Sequence, residues 1–162
     1  MKRKRRLLLV VLLASALPAP AFALGCICPK GVKGPKKARE AADAVFLGVV
    51  ERTVFLQDGR PAGSEVDRLS ESVRMVVVFR VAKGWKGVHE ASIAVTTGPD
   101  PDVECGFPFE KDGQYLVYAD QVKYSRGGRE GWELATTRCH RTRGGSAALS
   151  EGRALGKPEW EP

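Results

Sequence analysis

The side chains here with chemistry beyond packing are four thiols, Cys26, Cys28, Cys105 and Cys139, and two imidazoles, His89 and His140. Two of the thiols stand one residue apart in Cys26-Ile27-Cys28-Pro29. In an extended segment residues i and i+2 point to the same side, so Cys26 and Cys28 face one way. They are too close for a comfortable bond to each other, and two separate distant partners are expected. Cys105 and Cys139 are the partners on offer, and the sequence leaves three pairings open.

Other chemistries fit less well. A zinc enzyme needs three protein ligands and an open position, and the chain has neither a His-x-x-x-His spacing nor a carboxylate cluster. Both histidines therefore read as surface residues. No Gly-x-Ser-x-Gly elbow or Cys-x-x-Cys redox spacing occurs. Gly127-Gly128 and Gly144-Gly145 lack the strand-to-helix setting of a phosphate loop and read as turns. The expectation is a protein that is not an enzyme and carries no cofactor. Arg138, Arg141 and Arg143 near His140 suggest an anion patch, set against the preferred reading of a solvated strand end. Trp85, Trp132 and Trp160 read as core or edge residues rather than a stacking platform.

The cysteines must be positioned in an oxidising compartment, and the first residues supply the route. A basic start (Met-Lys-Arg-Lys-Arg-Arg), an apolar run from Leu7 to Leu17 and a small-residue end are the anatomy of a signal peptide over residues 1–25. The run is shorter than the roughly 20 apolar residues a transmembrane helix needs, and no transmembrane segment is expected. The leader holds five of the 26 basic residues and none of the 19 acidic ones, leaving 21 against 19, or +2, on residues 26–162. A nucleic-acid partner is accordingly not expected. Two junctions satisfy the small-x-small rule, cutting before Leu24 or before Cys26. A lipoprotein anchored at Cys26 ranks below both, because Ala23 stands where such signals carry Leu, and because three thiols would remain. A secreted or periplasmic monomer follows.

The elements after the leader are short and mostly extended. A helix is expected over Lys36–Ala42, after Pro35. A long bent strand follows over Ala44–Phe55, with a bulge at Gly48. Residues 57–71 read as an exposed hairpin loop. The second strand, Ser72–Ala82, sets Val73, Met75, Val77, Phe79 and Val81 on one face. After a turn at Lys83–Gly87 come strands over Ser92–Thr97, Tyr115–Ala119 and Gly131–Thr137, with a turn at Ser125–Gly128. A last helix spans Ser146–Leu155, with Ser146 as N-cap and Gly156 as its stop. Five strands with helices near both ends fit a mainly β, five-stranded OB-fold barrel. One domain spans 26–156, and 157–162 reads as a frayed tail.

Four pieces of the chain resemble one family: Cys26-Ile27-Cys28-Pro29, Ala42-Asp43-Ala44-Val45-Phe46-Leu47-Gly48, Trp85-Lys86-Gly87, and Cys105-Gly106 with Thr136-Thr137-Arg138-Cys139. In order and spacing the sequence is similar to the tissue inhibitors of metalloproteinases, in their N-terminal netrin-like domain. Four cysteines leave no third bridge and no cysteine-rich second domain, so the resemblance is to a short, bacterial-type, single-domain member. It implies the pairing Cys26 with Cys105 and Cys28 with Cys139. The first bridge closes about 80 residues, worth roughly 4–5 kcal/mol by loop-closure entropy. The resemblance further implies that the amine and carbonyl of Cys26 chelate the catalytic zinc of a metalloprotease. Ile27, in place of the family's Thr or Ser, would enter the pocket beside the metal, and Val103-Glu104 would form a second contact segment.

Overall fold

The computed structural model describes residues 26–62, 73–126 and 128–162. The expected leader at 1–25 and the larger part of the loop at 57–71 lie outside the described residues.

The chain is mainly β, with two helices. Helix α1 (Pro35–Ala41) leads into strand β1 (Ala44–Gln57), which turns at Asp58 and Gly59 into the two-residue β2 (Arg60–Pro61). Both turn residues have positive φ, 50° and 78°, as a tight hairpin turn with Asp-Gly requires. Strands β3 (Val73–Lys86), β4 (Ser92–Thr97), β5 (Gln114–Arg126), β6 (Arg129–Ala135) and β7 (Arg143–Gly144) follow, and helix α2 (Gly145–Leu155) comes last.

The seven strands form one sheet ordered β2-β1-β3-β4-β6-β5-β7, with β1 also pairing with β5. The long pairings are antiparallel, and β4 meets β6 in parallel at Thr96 and Ala135. Each of the five long strands therefore has two long neighbours.

Strands β1 and β5 explain why their sequences are apolar without alternation. Ala44, Phe46 and Val50 of β1, with Tyr115, Val117 and Ala119 of β5, pack into one core with Val77, Phe79, Val81 and Val95. The residues between them, Val45, Leu47, Leu116 and Tyr118, pack on the opposite side with Ala38 of α1 and Ala148 and Leu155 of α2. Strands covered on both faces read as continuous hydrophobic runs. Phe46, Phe79, Phe109 and Tyr115 join through edge-to-face contacts at centroid separations of 4.9–5.3 Å, a favourable ring geometry.

The bulge expected at Gly48 lies on the strand opposite: the β1–β3 register shifts between Leu47 and Gly48, where the extra residue is Ala82 of β3, and shifts also between Val45 and Phe46 and between Val50 and Arg52. Five expectations need correction. Two short strands, β2 and β7, join the five. Lys83–Lys86 is not a turn but the end of β3, because Trp85 is buried under the helices and its indole Nε1 donates to the Gly156 carbonyl at 2.8 Å. The chain reverses only at Gly87, where a Cβ would stand 2.3 Å from the Asp43 carbonyl oxygen. Strand β5 runs on to Arg126 through a polar half that pairs with β6, so it shows no apolar period. Helix α2 is capped by Gly144, which has no side chain to bond with, rather than by Ser146, which lies inside the helix; Gly144 is also paired with Tyr115 of β5. Residues 157–162 are not frayed: Trp160 pairs with Gly84, whose carbonyl accepts from Glu159 and Trp160 N–H and whose N–H donates to the Trp160 carbonyl.

Candidate functional site

The cysteines are drawn to one place by three segments. Cys26 is bonded to Cys105 and Cys28 to Cys139, with Cα–Cα separations of 5.0 and 5.1 Å, the pairing that the resemblance implies. The two bridges touch: Cys26 Sγ lies 3.7 Å from Cys139 Sγ and 3.8 Å from Cys28 Sγ. These are van der Waals contacts between sulfurs already bonded, so the cluster has no thiolate to offer a metal. Two such bridges belong to an oxidising, extracytoplasmic compartment. Among the described residues no helix is long and apolar enough to cross a membrane.

The segment carrying Cys105 is a tight turn wound on Asp100. Asp100 Oδ1 accepts from the N–H groups of Asp102 and Val103 at 2.8 Å each, and its carbonyl accepts from Glu104 and Gly106 N–H. Asp-Pro-Asp is a turn sequence of this kind. Cys105 sits in the left-handed region at φ 55°, a conformation that costs about 1–3 kcal/mol in a residue with a Cβ. The bonds from Asp100 and the bridge to Cys26 hold it there. Gly106 follows because a Cβ at that position would stand 2.1 Å from the Gly98 carbonyl oxygen.

The segment carrying Cys139 is locked by His140, which is not the surface residue expected. Thr137 N–H donates to His140 Nδ1 at 3.0 Å, so the ring proton sits on Nε2 and faces Asp120 Oδ2 at 3.1 Å. The Thr137 hydroxyl donates to the same Nδ1 and accepts from Cys139 N–H at 3.2 Å. Thr-x-Cys-His is thus a turn whose side chains orient the cysteine; the signal was a Thr three residues before a His. His89 does lie exposed, in the β3–β4 connection. The turn is also tied to the Asp100 turn: Arg138 N–H donates to the Cys105 carbonyl at 2.8 Å, and its guanidinium to Asp102 Oδ1 at 2.8 Å.

On this base Cys26, Ile27, Cys28 and Pro29 run without helix or strand. Ile27 is 88% exposed and Val103 57% exposed. Glu104, beside Val103, is half-buried against Gly98, so the second segment presents an apolar side chain rather than a charged one. Beneath the Cys139 turn, Tyr118 donates its phenol to Glu151 Oε1 at 2.8 Å, and Arg141 Nε donates to the same oxygen at 2.6 Å. Burial first, and that carboxylate second, push the Tyr118 phenol well above its ordinary pKa of 10.0.

Elsewhere on the surface, Trp132 of β6 is 63% exposed. It lines a groove of about 1050 Å³ between the β1–β2 hairpin and the β5–β6 ribbon. Trp85 is buried and Trp160 packs against the core, as expected of core or edge residues. Trp132 is the exception. No protein-family model matches the chain, and no curated protein matches it.

Proposed function

We propose that the protein is an exported inhibitor of zinc metalloendopeptidases, acting through the main chain of Cys26, and that it is a short relative of the tissue inhibitors of metalloproteinases. The observation that carries this reading is Ile27, a bulky apolar residue held 88% exposed between two bridged cysteines. Exposure of such a side chain on a braced, extended segment is the form of a wedge for a partner's pocket. The fold reading that goes with it is a five-stranded OB barrel. Its support is the cycle of pairings β1-β3-β4-β6-β5 and back to β1, with a single parallel step.

The chemistry is that of a chelate. A protease zinc keeps one position open for water. With the chain cut before Cys26, the free amine nitrogen and the carbonyl oxygen of the same residue close a five-membered ring on that zinc and displace the water. The amine donates its lone pair only when neutral, and a reference pKa of about 7.7–8.0 makes its proton easy for a metal to displace. The bridges remove most of the ordering cost of binding. Ile27 fills the pocket beside the metal, Cys28 and Pro29 continue the wedge, and Val103, with Glu104 half-buried behind it, makes the second contact. The protein acts as a monomer, secreted or periplasmic.

The test begins with the mass of the exported protein without reductant, which reads the first residue. A chain starting at Cys26 is then titrated against a zinc endopeptidase beside N-acetylated and Gly-extended forms. Inhibition by the free form alone is expected. Equal potency of blocked and free forms would reject the chelate, and a start at Leu24 or an acylated Cys26 would exclude it.

A second reading rests on Trp132. An indole exposed in a groove flanked by two hairpins suits a non-inhibitory binding module that takes a protein or glycan partner on the sheet face. Loss of partner capture in Trp132→Ala, with the free amine irrelevant, is its signature.

A further inference from the structure

The three arginines clustered in sequence around His140 line a single cavity of about 450 Å³, together with Lys30. It lies between segment 28–32, helix α1 and the 138–143 turn, with Cys28 and Cys139 in its wall. The cations are unequally engaged. Arg138 pairs with Asp102 and Arg141 with Glu151. Lys30 and Arg143 have no carboxylate partner among the described residues, and Arg143 donates only to the Thr142 carbonyl, at 3.1 Å. One carboxylate, Asp120, shares the lining, and it is taken by His140.

Apart from the Tyr118 and His140 rings, the rest of the lining is small and apolar. Ala38, Ala41 and Ala42 leave the space that a larger side chain would fill, and Val32, 48% exposed, stands at its edge. A volume within about 300–1,000 Å³, mostly apolar walls and a few directed polar groups are the properties of a small-molecule site. The surplus of positive charge selects an anion. A compact anion such as phosphate would use the charges and leave the alanines wet.

We propose that this cavity binds a small organic carboxylate, its head between Lys30 and Arg143 and its apolar body over the alanines of α1. The site is independent of the Cys26 amine, so binding is measured on the protein alone, with no protease present. Three probes are compared by calorimetry and by chemical-shift titration: octanoate, 1-octanol and inorganic phosphate. Octanoate is expected to bind at least roughly tenfold more tightly than either, a tenfold step being about 1.4 kcal/mol. Arg143→Ala should weaken octanoate by roughly tenfold, as loss of a charge-assisted bond does, with Arg143→Lys restoring part. Ala41→Leu, which fills the cavity from an exposed helix position, should abolish binding without lowering the melting temperature. Equal binding of octanol and octanoate would overturn the proposal, as would phosphate binding as tightly as octanoate. Failure of all three probes to shift the resonances of Tyr118 and Ala41 would overturn it too.

Discussion

Segments 26–34 and 156–162 both run outside the helices and named strands, yet they are held to the sheet by opposite means. The first is fixed by two disulfides and keeps Ile27 and Val32 in solvent. The second is fixed by the exchange of backbone bonds between Gly84 and Trp160, by Trp160 packed against the core, and by ion pairs from Arg39 to Glu159 and from Lys83 to Glu161. A segment that buries side chains is stabilised by that burial. One that leaves them exposed needs an attachment that does not use its surface, and a disulfide is one. The difference teaches that the exposure of Ile27 is compatible with order, which a partner can exploit.

The largest test of this contrast is the double substitution Cys28→Ser with Cys139→Ser. It removes a bridge between residues 111 apart and is expected to lower unfolding free energy by about 4–5 kcal/mol, measured by denaturant titration. A loss below about 1 kcal/mol would mean that segment 26–34 is held by something other than its bridges.

Trp160→Ala should come next, costing about 2–3 kcal/mol, below the range for a fully buried Trp because the side chain is only partly covered. Inhibitory potency should be unchanged, because the bridges are intact. A fall in potency would show that the two segments are coupled.

Ile27→Ala should leave stability within about 0.5 kcal/mol, as expected of an exposed position, while weakening protease inhibition by roughly tenfold or more. Parallel melting and inhibition curves separate the two quantities. Undiminished inhibition would remove Ile27 from the contact.

The smallest effect concerns pH and falls on α2, from which the second segment departs. Tyr118 has its phenol pKa raised in the folded state, by burial and then by Glu151. Its neutral form therefore favours folding below the unfolded value of 10.0, and this contribution is lost as pH rises through the higher folded value. Melting temperature should decline above about pH 10, and less steeply in Tyr118→Phe. An identical decline in both would assign the alkaline loss to other groups.

The sequence made much of the sheet legible. Alternation in Val73–Val81 marked one buried face, and β4 has the bounds that its β-branched run suggested. The polar half of β5 and the two-residue β7 carry no apolar period, because hydrogen bonds to neighbouring strands alone define them. At the site, Cys-x-Cys already implied two distant partners. The contact of His140 with Asp120 was hidden, since the two meet only when β5 and the 137–141 turn are brought together.

By itself, then, the sequence determined the periodicity of the strands and the number of bridges, because these depend on residue type and near spacing. Tertiary structure alone decided that the two bridges touch, that Ile27 stands in solvent while Trp160 packs against the core, and that Lys30 and Arg143 line one cavity. Contacts between residues more than a hundred positions apart are set by how β1, β5 and the two helices pack, and no local pattern encodes that packing.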